Sequence, residues 1–325
     1  DRHIGSTFQY LISLRCREHT PDFSHLSHLH LFFLAKRWHS TNLAFLGHTI
    51  ERKAVSLHKN NYGMTKALFF DIDGTLVPFG EHAVPREVRE AIAMLRQRGI
   101  KVFIASGRQI TWIDNLGDME FDGYVTVNGA VCLLGDRTTC IHKRLIDRGD
   151  IERVIDYAKA HPYPFAIVPP TGTVFIDKTD TNLEEACTML HIPPTPILPI
   201  ERALDVEVAQ MMGFLTQEQS EETGLFTEVL TGCKGTSWNP LFCDIVPLGS
   251  SKAVGIDHML RYFGIPLEET MAFGDGGNDI EMLRHVAIGV AMDNSAPDVK
   301  AAADYVTTDI LDHGVTNALR HFGLL

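Results

Sequence analysis

The sequence predicts an α/β fold built on a doubly wound parallel sheet, with an α+β domain inserted into it. Short apolar runs at residues 67–70, 100–105 and 123–127 alternate with polar or amphipathic stretches. A helix predicted after Pro85 separates the first two runs. Continuous apolar strands that are joined through helices are typical of a parallel sheet covered on both faces.

The same alternation returns near the C-terminus, where a helix is predicted over residues 251–263 and a strand over residues 270–273. The stretch between the two halves differs in composition and contains a proline cluster that marks a loop. We therefore predict that residues 64–146 and 248–325 share one core. Residues 147–247 are predicted to form an inserted α+β cap domain.

Composition excludes several classes of protein. The formal net charge of -12 disfavours a nucleic-acid binder, which usually carries a basic face. No apolar run approaches the roughly 18 residues that a membrane-spanning helix needs. The six cysteines include no CxxC pair, which argues against a disulfide framework and against a structural zinc site. We expect a cytoplasmic protein that binds neither nucleic acid nor membrane, and we infer no obligatory protein partner.

Residues 1–63 differ from the rest of the chain. They hold 8 Lys+Arg against 4 Asp+Glu, whereas the remainder holds 21 against 37. They show little sustained periodicity, and the first methionine is Met64. We predict that this segment is a non-native or disordered extension, and a targeting peptide is the alternative that its basic charge leaves open.

Carboxylates follow two of the predicted strands. Asp71 and Asp73 end the first strand in FFDIDGTL, and Asp275 and Asp279 follow a later strand in GDGGND. Because the carboxyl ends of parallel strands meet at one edge of a sheet, we expect the four carboxylates to converge. Two like charges about 4 Å apart repel by roughly 4 kcal/mol at an effective dielectric near 20. A divalent cation would relieve this repulsion, and oxygen-only ligands suit Mg²⁺ better than Zn²⁺.

Each motif has a plainer explanation when it is taken alone. Asp279 could be an acidic residue that the helix dipole favours at a helix N-terminus. Lys252 could be a solvated surface lysine, and Ser106-Gly107 could be a simple turn. The motifs therefore argue for a function only as an ordered set.

As an ordered set, the motifs resemble those of the haloacid dehalogenase (HAD) superfamily, and within it the Cof-type, subfamily IIB sugar-phosphatase-like hydrolases. They are DIDGTL at 71–76, ASGR at 105–108, the lysine of GSSKAVGI at 252 and GDGGND at 274–279. The resemblance runs from Met64 to the C-terminus. It implies a Rossmann-like core with a C2B-type α+β cap that follows the third core strand.

The resemblance also implies a role for each motif residue. Asp71 would be the nucleophile that becomes phosphorylated, and Asp73 would be the general acid and base. Ser106 would contact a phosphoryl oxygen, and Lys252 would neutralise charge. Mg²⁺ would be held by Asp71, by the backbone carbonyl of Asp73 and by Asp275.

Further residues beside these motifs are expected to support the metal or the substrate. Asp279 and Asn278 would support the metal shell and the lysine. Arg108 could pair either with an anionic group of the substrate or with a structural carboxylate. The predicted substrate-binding residues are Gly74, Thr75, Gly107, Arg108, Asn128 and Asn278.

Together these patterns predict a Mg²⁺-dependent phosphatase of small phosphorylated metabolites, with sugar phosphates as the first expectation. Ser106 and Lys252 lie 146 positions apart, which leaves room for a cap that would restrict the site to small substrates. A phosphomutase of the same fold is the alternative. A catalytically inactive binding protein is a third possibility, but it would be expected to have lost the nucleophile or a metal-binding acid.

Overall fold

The structure is a computed structural model that describes residues 65–325. The prediction made for residues 1–63 lies outside the described residues. The described chain contains 13 strands and eight α-helices. None of these helices is both long and apolar enough to cross a bilayer.

In chain order, the elements begin and end as follows: β1 (Ala67–Phe70), α1 (Arg86–Gln97), β2 (Lys101–Ala105), β3 (Gly123–Thr126), β4 (Val131–Leu134), β5 (Cys140–Lys143), α2 (Arg148–Ala160), β6 (Phe165–Val168), β7 (Phe175–Ile176), α3 (Thr181–Met189), β8 (Gln210–Gly213), α4 (Gln217–Glu222), β9 (Cys233–Asn239), β10 (Phe242–Pro247), α5 (Lys252–Phe263), β11 (Thr270–Gly274), α6 (Ile280–His285), β12 (Ile288–Ala291), α7 (Pro297–Ala302), β13 (Tyr305–Val306) and α8 (Gly314–His321).

The core is an eight-stranded sheet with the order β13-β12-β11-β1-β2-β3-β4-β5. The six strands from β13 to β3 pair in parallel, as the sequence predicts. The last two strands, β4 and β5, form an antiparallel hairpin at one edge. Sequence analysis missed this hairpin.

Helices cover both faces of the core sheet, so the sheet is doubly wound. Leu68 and Phe70 of β1 pack in the cluster that contains apolar residues of α1 and α8. The alternate residues, Ala67 and Phe69, pack against apolar residues of α5 and α6 on the other face. Burying one such aromatic side chain contributes roughly 1.5–3 kcal/mol, which is why continuous apolar strands lie at the centre of the sheet.

The elements from α2 to β10, which we call the inserted segment, form a second sheet. Its five strands have the order β7-β6-β8-β10-β9 and pair antiparallel. One face packs against α2 through residues such as Val154. The other face carries Ala166 and Met212 into the same apolar cluster as the core strands. This is the predicted α+β architecture, and all of its elements lie within residues 147–247.

Candidate active site

Three carboxylates converge at the carboxyl-terminal edge of the core sheet. Asp71 follows β1 and Asp275 follows β11, and these strands pair with Phe70 opposite Phe273. Asp279 is fully buried beside them. One carboxylate oxygen from each of the three acids lies within 4.8 Å of the others. Three of the four carboxylates expected to converge are therefore together, and the side chain of Asp73 lies outside this group.

Lys252 is fully buried in the first turn of α5 and is not a solvated surface lysine. Its Nζ lies 2.8 Å from Oδ1 of Asp71 and 2.6 Å from Oδ1 of Asp279. Burial by itself disfavours the ammonium, but the Asp279 and Asp71 carboxylates outweigh this effect and raise the pKa of Lys252. The lysine therefore stays charged and offsets part of the negative charge of the cluster.

The negative charge that remains is costly. Burial is the main cause that raises the pKa of Asp71 to about 7, and repulsion from Asp279 is the next largest. Burial is also the main cause that raises the pKa of Asp275 to about 8, and repulsion from Asp71 and Asp279 adds to it. Both carboxylates would be stabilised by a nearby cation, because an opposite charge favours the ionised form. The cluster therefore fits a divalent cation that prefers oxygen ligands.

Asp279 is already engaged within the protein. Its Oδ1 accepts from Lys252, and its Oδ2 accepts from the backbone N–H groups of Asp275 and Gly276 at 2.9 Å each. These contacts fix the lysine and the loop that carries Asp275. Asp71 and Asp275 are therefore better placed than Asp279 to offer oxygen atoms to a metal.

The turn after β1 approaches Asp275 closely. Gly74 has a φ of +81°, and a Cβ atom there would lie 2.1 Å from Oδ2 of Asp275. Thr75 is fully buried, and its Oγ1 donates to Oδ1 of Asp275 at 2.9 Å. Only glycine tolerates both the left-handed backbone and the contact. Gly74 and Thr75, predicted as substrate-binding residues, thus orient a carboxylate of the cluster.

Asp73 is held by Arg108 through two hydrogen bonds. Nε and Nη2 of Arg108 donate to the two Asp73 oxygens at 2.7 and 2.8 Å. Arg108 also donates to the backbone oxygens of Trp112 at 3.1 Å and of Leu190, in the inserted segment, at 2.8 Å. Burial alone would lower the pKa of Arg108, but Asp73 outweighs burial and the pKa is raised. Of the two partners that the sequence left open for Arg108, the structure contains the carboxylate.

Ser106 and Gly107 begin the loop after β2. Ser106 is buried, and its Oγ accepts from the backbone N–H of Arg108 at 3.1 Å. Its own N–H donates to the backbone oxygen of Val125 at 2.8 Å. A Cβ atom at Gly107 would lie 3.3 Å from the side-chain amide of Asn128. The loop is therefore fixed against the end of β3.

The turn that ends β3 has an unfavourable backbone conformation. Val127, Asn128 and Gly129 have φ values of +53°, +50° and +84°. Such angles cost on the order of 1–3 kcal/mol for each non-glycine residue and persist only where surrounding contacts enforce them. The Asn128 N–H donates to the Ser106 oxygen at 3.1 Å. A Cβ atom at Gly129 would lie 1.9 Å from the backbone oxygen of Ser251, so the turn packs directly against the start of α5.

A narrow cleft with a volume of about 30 Å³ lies between the acidic edge and the inserted segment. The core contributes mainly polar residues together with Trp112, and the inserted segment contributes both apolar and polar residues. The lining residues are Asp71, Asp73, Ser106, Gly107, Arg108, Trp112, Leu190, Ile192, Gln210, Met212, Phe242, Asp244, Gly276 and Asn278.

Sequence reasoning missed the residues that the inserted segment contributes to this cleft. Two of them are Gln210 and Asp244, which are buried in β8 and β10. Each is a polar residue next to an apolar strand run, and that pattern is a usable signal, because buried polar groups need specific partners. The apolar lining residues, such as Met212, have no such signal, since any core strand contains similar residues.

These features define a class of protein with a capped α/β core and a carboxylate cluster at the strand ends. A family model for haloacid dehalogenase-like hydrolases matches residues 68–319. The chain belongs to this family, as its motifs predicted.

Individual relatives agree with the family match. "Putative phosphatase YkrA" of Bacillus subtilis (strain 168) is 30% identical over 264 residues, which cover 80% of this chain and 99% of that protein. A solved HAD subclass IIB sugar phosphatase is 41% identical with a TM-score of 0.75, covering 80% of this chain and 100% of its own. A second solved phosphatase of the superfamily, from Bacteroides thetaiotaomicron, is 32% identical with a TM-score of 0.73, and the match covers 82% of this chain and 97% of its own. The predicted family, fold class and enzyme class, a HAD phosphatase, are thereby confirmed.

Proposed function

We propose that this chain is a Mg²⁺-dependent phosphatase that hydrolyses sugar phosphates and similar small metabolites through an aspartyl-phosphate intermediate. The observation that carries the proposal is the buried contact of 2.8 Å between Asp71 and Lys252 at the edge of a cleft. A carboxylate can attack an anionic phosphate only where positive charge offsets the repulsion. The sugar phosphatase among the solved relatives supports the same reaction and substrate class.

In the proposed reaction, an oxygen of Asp71 attacks phosphorus, and the bond between phosphorus and the leaving oxygen breaks. Asp73 gives its proton to that oxygen, so the product leaves as an alcohol. A water molecule then attacks the phosphorus on Asp71, Asp73 takes up a proton from that water, and inorganic phosphate is released. Asp73 suits this role because it lines the same cleft, and Arg108 fixes its orientation.

Mg²⁺ would be held by Asp71 and Asp275, together with the backbone carbonyl of Asp73 that the family resemblance implies. When bound, the ion supplies positive charge that allows a phosphate to approach the carboxylates. The raised pKa values of Asp71 and Asp275 support this assignment. We assign Asp279 a supporting role, because both of its oxygens hold Lys252 and the neighbouring loop.

The cleft favours a small leaving group with both apolar and hydroxyl-bearing surfaces. Trp112 of the core lines the cleft, and the inserted segment adds the apolar Phe242 and the polar groups of Gln210 and Asp244. Sugars offer C–H faces and hydroxyl groups in the same small volume, and such mixed walls are typical of small-molecule sites. A macromolecular substrate would not fit beneath the inserted segment.

The first experiment is to measure phosphate release from sugar phosphates, nucleotides and pyridoxal phosphate, with Mg²⁺ and with EDTA. We expect Mg²⁺-dependent release that Asp71→Asn abolishes, because an amide oxygen is a poor nucleophile. Asp118→Asn is the matched control, since the Asp118 side chain is 85% exposed. If folded wild-type protein releases no phosphate from any compound but transfers it between sugar positions, the mutase is the correct function. If Asp71→Asn keeps full activity, the proposed nucleophile is wrong.

A further inference from the structure

One buried side-chain amide connects the inserted segment to residues 275–279, which we call the acidic loop. The Nδ2 of Asn128 donates to Oε1 of Gln210 at 3.0 Å and to Oδ2 of Asp244 at 2.9 Å. Its Oδ1 accepts from Nδ2 of Asn278 at 3.0 Å. A carboxamide has two N–H groups and one carbonyl, so Asn128 uses all of its hydrogen-bonding groups in these contacts.

The geometry of this network fixes which way each amide points. Asp244 presents carboxylate oxygens to both Asn128 and Gln210, and Gln210 donates to it at 3.1 Å. Both amides must therefore turn their NH2 groups toward Asp244, which leaves the carbonyl of Asn128 facing Asn278. Asn128, Gln210 and Asp244 are each at most 3% exposed, so solvent does not compete for these bonds.

The backbone conformation of Asn128 serves this arrangement. Its left-handed φ lies within the three-residue turn that packs against the start of α5, where Lys252 begins the helix. An unfavourable backbone that is enforced by close packing points to a functional constraint on the side chain it carries. The constraint visible here is that one side chain must reach β8, β10 and the loop after β11 at once.

We propose that Asn128 is a positioning residue that couples closure of the inserted segment to the order of the acidic loop. Asn278 lies between Asp275 and Asp279 in that loop. When the inserted segment moves away, Asn128 loses Gln210 and Asp244, and its carbonyl is no longer fixed toward Asn278. Closure over a substrate thus tightens the carboxylate cluster. The inference rests on the proposed function, because it requires the inserted segment to close before the phosphoryl group is transferred.

Hydrogen–deuterium exchange of the full chain tests the coupling without any substrate. Asn128→Gly removes the side-chain amide, and glycine tolerates the left-handed backbone. Asn128→Asp keeps the shape of the side chain but replaces the NH2 donor with an oxygen acceptor. We expect both variants to exchange faster at residues 210–213 and also at residues 275–279. The control is Lys234→Ala, which breaks a 2.6 Å ion pair to Glu281 that also joins the inserted segment to the core. The control should leave exchange at residues 275–279 unchanged.

Steady-state kinetics with a sugar phosphate distinguish coupling from a loss of folding. For either Asn128 variant we expect kcat to fall roughly 10- to 100-fold, while KM changes much less. This is the loss expected when the closed state loses the two hydrogen bonds from Asn128 to Gln210 and Asp244. Faster exchange at residues 210–213 with unchanged exchange at residues 275–279 would overturn the coupling. Unchanged kcat would overturn it too. If wild-type protein releases no phosphate, the proposed function fails, yet the exchange result still decides the coupling.

Discussion

Replacing Lys252 with methionine should strongly destabilise the folded protein. The ammonium lies 2.8 Å from Asp71 and 2.6 Å from Asp279, and the lysine and Asp279 are fully buried. Removing one partner of a buried ion pair costs roughly 3–5 kcal/mol, because the other charge is left in an apolar environment. Methionine fills a similar volume, so little of the loss comes from a cavity. We expect the free energy of unfolding at pH 9 in EDTA to fall by about 3–5 kcal/mol.

The loss should be smaller at pH 6. Burial and Asp279 already raise the pKa of Asp71 to about 7 while Lys252 is present. Without the ammonium this pKa rises further. A carboxyl group whose folded pKa exceeds its unfolded value stabilises the folded state at low pH, and this stabilisation is lost as the pH rises through the folded pKa. In the variant, Asp71 therefore takes up a proton at pH 6 and avoids part of the penalty that it carries at pH 9.

Urea unfolding followed by circular dichroism at both pH values provides the test. The double variant Lys252→Met/Asp279→Asn should recover part of the lost stability, because it removes one of the uncompensated charges. Lys300→Met is the control, since Lys300 pairs with the exposed Asp293 and a surface pair contributes about 0–1 kcal/mol. A loss below about 1 kcal/mol for Lys252→Met at pH 9, or no recovery in the double variant, would refute the reasoning.

Two further predictions concern the metal. Because the pKa values of Asp71 and Asp275 are raised to about 7 and about 8, the metal-free protein should lose stability as the pH rises from 6 to 9. The difference in Tm between Mg²⁺ and EDTA should then widen with pH, and a constant difference would contradict the assignment. Gly74→Ala should weaken Mg²⁺ binding in calorimetry about tenfold or more, because its Cβ would meet Asp275. Gly80→Ala is the matched control, since its φ is +85° and nothing lies within 4 Å; equal losses in both variants would point to backbone strain alone.

The sequence was sufficient to predict the parallel core and the acidic edge. Strands buried on both faces must be continuously apolar, so β1 and β11 are visible as short apolar runs. Asp71 and Asp275 each follow such a run directly. Because parallel strands end at the same edge, their convergence follows from local pattern and topology, without knowledge of any side-chain contact.

Local pattern was misleading where tertiary contacts override it. The third strand was predicted over residues 123–127, but it ends at Thr126 because Val127 adopts a left-handed conformation. A β-branched residue rarely adopts that conformation, so no local propensity predicts it. The β4–β5 hairpin was missed as well. Its second strand, Cys140–Lys143, is partly exposed at the sheet edge and lacks an apolar run.

Only the tertiary structure decided which polar groups meet across the cleft. Arg108, which lines the cleft, holds Asp73 and the backbone oxygen of Leu190. Asn128 meets Asp244 across 116 residues of sequence. Such pairs depend on how the inserted segment lies over the core, and neither periodicity nor propensity carries that information. The sequence thus determined where the clustered carboxylates stand, and long-range packing determined what holds and encloses them.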